Sequence, residues 1–238
     1  MPSEISDYIA GRQKVMPDYE IIDAADLIDL QKEIERCPWF GAVYERKIWA
    51  YVSDYIRVKV LLEHGGIYAD ADITFLKPFD RFLSHEFFAG FESPGTVGMS
   101  IFGCVPKHPL LQDLYDFYQK DIWETPMFTI PEIATRLLTE KYNCITFDSR
   151  RFPEPVKFGS IILYPEKYFY PYRYDEHYDE RCITDDTYSV HWWSGSWCTP
   201  EISAWLRSKH MPGTAGRPDN PVPGGVDVYG FKTVSPPF

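Results

Sequence analysis

One segment, residues 53–78, constrains the fold more than any other because a helical pattern ends there and an extended pattern begins at once. Apolar side chains recur with helical spacing over residues 53–64, and Ser53 is predicted to cap this helix at its N-terminus. Gly65 follows, and glycine is the residue that best accepts the positive φ of a helix C-terminus. From residue 67 to residue 75 apolar residues alternate with polar ones, which predicts a single strand.

Two carboxylates share one face of this predicted strand. Asp70 and Asp72 are two residues apart, so their carboxylates are expected to lie about 6 to 7 Å from each other. Two such charges repel unless a cation lies beside them, and Mg²⁺ or Mn²⁺ takes oxygen ligands of this kind. On the preceding helix, Asp54 and Arg57 are three residues apart and point together. Arg57 is then expected to pair either with Asp54 or with a ligand anion. The Asp70–Asp72 pair by itself is weak evidence for a metal site, because Asp-x-Asp also occurs by chance on solvated turns.

Taken together, these residues resemble the sugar-binding region containing the DXD motif of glycosyltransferase family 32, which includes capsular polysaccharide transferases and mannosyltransferases. The matched positions are Ser53, Asp54, Arg57, Gly65, Gly66, Tyr68, Asp70, Asp72 and Pro78. The resemblance implies an α/β fold of the GT-A, Rossmann-like type. It also implies a metal-dependent, retaining transfer of a hexose from a nucleotide sugar, with UDP favoured, to a glycan or lipid-linked acceptor.

The same resemblance implies roles for individual residues, including a second block that runs from His191 to Trp197. It implies catalytic roles for Asp54, Arg57, Asp70 and Asp72, donor binding by Asp54, Arg57, Tyr68, Asp70, Ser196 and Trp197, and Mn²⁺ or Mg²⁺ ligation by Asp70, Asp72 and His191. A histidine beside two tryptophans is otherwise more often a packed structural residue.

The sequence departs from the family pattern at the start of the chain. We expect residues 1–210 to form the catalytic domain, and residues 211–238, which are rich in Pro and Gly, to form an extended or disordered tail. The strand that opens the family's sheet has no counterpart in the sequence, so we expect this N-terminal strand to be missing. Its loss would leave an unpaired sheet edge.

The amino-acid composition limits the classes of binding partner and the compartment that we expect for this protein. The net charge of −11 argues against nucleic acid as the main partner. Five cysteines without CxxC spacing favour a reduced, cytoplasmic compartment. No run of 18 apolar residues predicts a membrane span, although contact with a membrane surface would suit a lipid-linked acceptor.

Two other functions stay open at the level of sequence. The missing strand is compatible with a non-catalytic or truncated relative that binds a sugar nucleotide or glycan. A metal-dependent hydrolase could use the same carboxylates and transfer the sugar to water. Intact Asp70, Asp72 and Arg57 argue against the first alternative.

Overall fold

The computed structural model describes residues 3–125, 129–144 and 153–195. Its helices are α1 (Ser3–Val15), α2 (Leu30–Arg36), α3 (Pro38–Glu45), α4 (Trp49–His64), α5 (Pro109–Lys120), α6 (Ile130–Tyr142) and α7 (Glu166–Phe169). Its strands are β1 (Gly66–Ala69), β2 (Ile73–Phe75), β3 (Phe87–Ser93), β4 (Thr96–Cys104), β5 (Val156–Phe158), β6 (Ile161–Tyr164) and β7 (Ser189–His191). The predicted tail, residues 211–238, lies outside the described residues, as do Ser196 and Trp197.

The strands form two sheets. A five-stranded sheet has the order β1-β4-β3-β6-β5, in which β3 and β6 are parallel and the other neighbours are antiparallel. A second sheet pairs β2 with β7. This mixed architecture confirms the predicted α/β class and is consistent with a GT-A-like fold. Within the described ranges no strand precedes Gly66, and β1 is an edge strand of the larger sheet.

Helices α4, α5 and α6 pack against one face of the larger sheet. The buried residues of this core include Tyr55 and Val58 of α4, Leu114 of α5 and Leu138 of α6, all at most 1% exposed. A second buried cluster on the other side of the sheet is largely aromatic and includes Phe169. β1 leaves the larger sheet at Ala69, and the chain then turns into β2 of the smaller sheet, which packs in the second cluster.

Two local predictions were wrong. Helix α4 begins at Trp49 instead of Ser53, and the Ser53 hydroxyl donates a hydrogen bond to the Ala50 carbonyl at 2.7 Å instead of capping the helix. The predicted single strand is broken, because the chain turns at residues 70–72 between β1 and β2. The alternating pattern does not distinguish one strand from two short strands that belong to different sheets.

Among the described residues, no helix combines the length and the apolar composition needed to cross a membrane. In the same part of the chain Cys37, Cys104, Cys144 and Cys182 carry free thiols.

A substitution at Gly98 of β4 tests how tightly the larger sheet packs against Tyr170. A Cβ at this position would lie 2.5 Å from Cζ of Tyr170, whose buried hydroxyl accepts a hydrogen bond from the Ile101 N–H at 3.1 Å. We expect Gly98→Ala to lower the free energy of unfolding by about 1–3 kcal/mol, as overpacking does in other cores. Gly11→Ala in α1 is the control, since an added Cβ there meets nothing within 4 Å. Equal urea midpoints for the two variants would contradict this packing.

Candidate active site

Residues from α4 and from the turn after β1 meet at the C-terminal end of β1. The Arg57 guanidinium lies between two carboxylates, with Nη2 2.9 Å from Oδ1 of Asp54 and 3.2 Å from Oδ1 of Asp70. Asp54 and Arg57 are 8% and 5% exposed, whereas Asp70 is half-buried. Arg57 therefore pairs with Asp54, one of the two partners that the sequence left open, and also with the first aspartate of the DXD motif.

Arg57 is a fixed cation with further partners on the other sides of its guanidinium. Its Nη1 donates to the Met99 carbonyl at 2.9 Å, and its Nη2 donates to the Ser53 hydroxyl at 3.1 Å. The guanidinium carbon lies 4.6 Å from the centre of the Tyr68 ring, and the Tyr68 hydroxyl donates to Asp70 Oδ1 at 2.6 Å. Burial alone would lower the pKa of Arg57, but Asp70 and the other negative groups beside it outweigh burial and raise that pKa.

Asp72, the second aspartate of the motif, is held by the segment after β7. Its Oδ2 accepts hydrogen bonds from the Ser194 N–H at 2.9 Å and from the Ser194 hydroxyl at 2.8 Å, and its Oδ1 lies 3.3 Å from His191 Nε2. Burial alone would raise the pKa of Asp72, but His191 and Ser194 hold it well below its usual range. Burial likewise opposes the charged form of His191, and Asp72 outweighs it and raises the pKa of the imidazole.

The register between β2 and β7 explains why residues so distant in sequence meet. Ile73, which follows the motif, pairs with His191. The Trp192 backbone N–H then donates to the Asp72 carbonyl at 3.1 Å, and its indole N–H donates to the Thr74 hydroxyl at 2.8 Å. The small sheet thus brings the second predicted block against the DXD turn.

Asp70, Asp72 and His191 form a group with the character of a metal centre. Each offers one ligand atom, and these atoms all lie within 4.8 Å of one another. His191 Nδ1 is buried and has no hydrogen-bond partner among the described residues, so one imidazole nitrogen is available to a further ligand. Two carboxylates and an imidazole suit Mn²⁺, and the carboxylates suit Mg²⁺. The residues present therefore fit a divalent cation.

Arg12 of α1 binds backbone carbonyls of the DXD turn, and no pattern in the sequence predicted this contact. Its guanidinium donates to the Asp70 carbonyl, and its Nη2 donates to the Ile73 carbonyl at 3.3 Å. Burial lowers the pKa of Arg12, and the charges of Asp70 and Asp72 act in the opposite direction. Arg12 is far from the motif in sequence, so no local pattern indicates that it fixes the backbone of the turn.

Asp54 also connects the site to α6. The backbone of Ile130, the first residue of α6, acts on the Asp54 carboxylate and favours its charged form. Thr129, which precedes the helix, makes no capping bond with its side chain. Burial raises the pKa of Asp54 to about 6, although Arg57 favours the charged form.

Glu92 of β3 is a further buried acidic residue on which charges of the site act, and no sequence pattern pointed to it. It is buried, and burial raises the pKa of its carboxyl to about 7. The charges of His191, Asp70 and Arg57 also act on it, in that order of strength. The carboxyl groups in this region therefore outnumber its cationic side chains, which are Arg12, Arg57 and His191. This excess of acidic groups favours binding of a cation or of hydrogen-bond donors.

The raised pKa of Glu92 has a measurable effect on the stability of the metal-free protein. Its pKa in the folded state, about 7, exceeds the ordinary value of 4.5. The stability that the protonated Glu92 carboxyl contributes to the folded state is therefore fully present below pH 4.5 and is lost as the pH rises through 7. We expect Glu92→Gln to match the wild type near pH 4.5 and to exceed its free energy of unfolding by about 3 kcal/mol at about pH 8. Urea unfolding across this range measures the difference, and a difference independent of pH would contradict the prediction.

Comparison with known proteins agrees with this arrangement. Residues 2–89 match the sequence model of the family described as "Glycosyltransferase sugar-binding region containing DXD motif". This segment includes the α4–β1 unit and the DXD turn. The match confirms the predicted resemblance to DXD-containing glycosyltransferases.

A particular relative extends the similarity. The chain is 26% identical to the human protein "Alpha-1,4-N-acetylglucosaminyltransferase", over 75% of this chain and 56% of the relative. The chain thus spans little more than half the length of that relative. Both findings show similarity of this chain to glycosyltransferases.

The structure brings together Asp54, Arg57, Tyr68, Asp70, Asp72 and His191, as the resemblance implies. Their individual roles stay predictions. Ser196 and Trp197 lie outside the described residues, and Ser194, immediately before them, provides the hydroxyl that contacts Asp72.

Proposed function

We propose that the protein is a metal-dependent, retaining glycosyltransferase that transfers a hexosyl or N-acetylhexosaminyl group from a nucleotide sugar to a glycan or lipid-linked acceptor. The observation that supports this most is the group formed by Asp70, Asp72 and His191, which adjoins the buried Asp54–Arg57 pair. Carboxylates on one side and a fixed cation on the other suit a metal-bound diphosphate with an uncharged sugar attached.

The proposed role of each residue follows from its charge. When bound, Mn²⁺ or Mg²⁺ would stabilise the negative charge that develops on the departing diphosphate. Ser194 and His191 orient the Asp72 carboxylate, and Arg57 holds the Asp70 carboxylate in place through an ion pair. Asp54, held by the same guanidinium, would accept a hydrogen bond from a sugar hydroxyl.

The choice of donor and acceptor rests on similarity alone. UDP is favoured as the nucleotide from the family resemblance, and GDP is the second choice. The relative's name specifies N-acetylglucosamine, so the N-acetylhexosamines join the hexoses as candidate sugars. Cytoplasmic localisation and contact with a membrane surface belong to the same proposal, and both stay predictions.

A nucleotide-release assay tests the proposal. The panel contains UDP-glucose, UDP-galactose, UDP-N-acetylglucosamine and GDP-mannose, each with Mn²⁺, with Mg²⁺ and with a chelator. We expect release from one donor that requires the metal and increases when an acceptor glycan is added. Retention is checked by NMR of the anomeric configuration in the product.

Other outcomes would favour the alternatives. Binding of a nucleotide sugar without turnover would favour a non-catalytic relative. Release of free sugar at the same rate with and without acceptor would favour a hydrolase. A folded protein that neither binds nor turns over any donor would contradict the proposal.

A further inference from the structure

Arg12 of α1 is a buried cation that binds backbone carbonyls. The residue is 8% exposed, and its guanidinium donates to the Asp70 carbonyl and to the Ile73 carbonyl, the latter from Nε at 3.4 Å and from Nη2 at 3.3 Å. Burial of a charged group costs free energy, so its donors need partners. The planar guanidinium presents its N–H donors in a rigid fork, which can hold two acceptors at a fixed separation.

The two carbonyls mark the ends of the turn that carries the DXD aspartates. The Ile73 N–H donates to the Asp70 carbonyl at 3.2 Å, so residues 70–73 form a hydrogen-bonded four-residue turn. Asp70 is the first residue of this turn and Asp72 is the third. Arg12 joins the carbonyls of its first and last residues. It therefore fixes the backbone at both ends of the segment from which both carboxylates project.

Other elements hold the two carboxylates themselves. Arg57 of α4 lies 3.2 Å from Asp70 Oδ1, and the Ser194 hydroxyl donates to Asp72 Oδ2 at 2.8 Å. The side chains are thus held by α4 and by the segment after β7, whereas the backbone between them is held by α1. Loss of the Arg12 side chain would leave the side-chain contacts in place but release the turn that sets the distance between the carboxylates.

Helix α1 has further contacts with the small sheet, so the guanidinium has a fixed position. The guanidinium carbon of Arg12 lies 5.5 Å from the centre of the Phe75 ring in β2. One helical turn earlier, the ring of Tyr8 lies 6.3 Å from that of Trp192, with the two planes 13° apart. The Trp192 backbone N–H in turn donates to the Asp72 carbonyl at 3.1 Å. Helix α1 therefore contacts the sheet on both sides of the DXD turn.

Arg12 has two opposite effects on a cation bound by the DXD aspartates. Its positive charge repels a second cation nearby, so loss of the charge alone would tighten metal binding. Its hydrogen bonds orient the turn, and loss of a group that orients metal ligands typically weakens metal binding by about 10- to 100-fold. Because the carbonyl oxygens turn their negative ends toward the guanidinium, they offset part of its field. We therefore expect the second effect to be the larger.

We propose that Arg12 is a positioning residue for the divalent cation, and that it holds the turn so that Asp70 and Asp72 can bind the same ion. This assignment rests on the proposed metal-dependent function. The candidate ligands are Asp70, Asp72 and His191, none of which belongs to α1. The proposal thus gives a helix that contributes no ligand to this group control over the affinity for the cation.

Calorimetric titration with Mn²⁺ alone, repeated with UDP present, tests the assignment in three variants. We expect Arg12→Lys to raise the dissociation constant of Mn²⁺ about 10-fold, because an ammonium group keeps the charge but lacks the fork that holds both carbonyls. We expect Arg12→Met to raise it by up to about 100-fold. Lys14→Met is the matched control, since Lys14 is exposed on the same helix, and we expect it to stay within about twofold of wild type.

A core variant separates positioning from general loss of stability. Leu138 of α6 is 1% exposed in the cluster on the opposite face of the larger sheet, so Leu138→Ala leaves a cavity away from the turn. We expect this variant to unfold at lower temperature than wild type but to bind Mn²⁺ with wild-type affinity while it is folded. Circular dichroism at the titration temperature checks that each variant has the native spectrum.

The two proposals fail in different ways. If wild-type protein binds no Mn²⁺ with or without UDP, the proposed function fails and the role of Arg12 fails with it. If wild type binds Mn²⁺ and the Arg12 variants bind it equally or more tightly, the Arg12 assignment is wrong and the function stands. An equal loss of affinity in Leu138→Ala, or loss of the native spectrum in both Arg12 variants, would also overturn the assignment, since Arg12 would then act on the fold as a whole.

Discussion

Replacement of Asp72 by asparagine is expected to reduce metal-dependent nucleotide release by about 10²- to 10³-fold, the size of effect found when one stabilising contact to transition-state charge is removed. The asparagine side chain keeps an oxygen for the two Ser194 donors but loses the negative charge that His191 now faces. The pKa of the wild-type carboxyl lies well below its usual range, so the charge is present throughout the neutral range.

Asp80→Asn is the matched control, because Asp80 is an exposed aspartate whose carboxylate accepts a hydrogen bond from the Tyr19 hydroxyl outside the site. We expect this variant to retain wild-type turnover. Steady-state kinetics at saturating Mn²⁺ measure both variants. Turnover by Asp72→Asn within threefold of wild type would show that this carboxylate does not contribute the charge assigned to it.

Replacement of Arg57 by methionine is expected to destabilise the fold more than any other single change at the site. It would leave the carboxylates of Asp54 and Asp70 without the cation 2.9 and 3.2 Å away. Loss of one partner of a buried ion pair costs about 3–5 kcal/mol, because the other charge stays buried and uncompensated. For a chain of this size, that corresponds to a fall in Tm of about 10 °C or more.

A second substitution separates the charge from the packing. Adding Asp54→Asn to the Arg57→Met background removes one uncompensated carboxylate, and we expect it to restore part of the lost stability. Arg136→Met is the control, since the Arg136–Glu140 pair lies on the exposed surface of α6, where such pairs contribute little. Thermal unfolding without metal measures all three, and an Arg57→Met midpoint equal to that of Arg136→Met would refute the buried-pair interpretation.

Sequence predicted those parts of the site that depend on local spacing. Asp54 and Arg57 meet because they are three residues apart on one helix, and Gly65 ends that helix with a φ of 67°. The break between β1 and β2 was missed because alternation is the same in one strand as in two. What divides them is the pairing of β2 with β7, a partner far along the chain.

Residues that reach the site through tertiary contacts carry no local signal. Arg12 binds the backbone of the DXD turn, 58 residues away, and a basic residue near the end of a helix is common in any sequence. Glu92 follows a run of apolar strand residues and lies where the pairing of β3 with β4 shifts register, which no local pattern in the sequence indicates. His191 was found only because the resemblance to a known family included its block.

The central claim is that Asp70, Asp72 and His191 hold one divalent cation together with a nucleoside diphosphate. Titration of Mn²⁺ monitored by electron paramagnetic resonance, with and without UDP, tests this most directly, because free and bound Mn²⁺ give different signals. We predict one bound Mn²⁺ per chain, bound more tightly when UDP is present, and loss of that binding in Asp72→Asn. Wild-type protein that binds no Mn²⁺ with or without UDP, or an Asp72→Asn variant that binds it equally well, would contradict the claim.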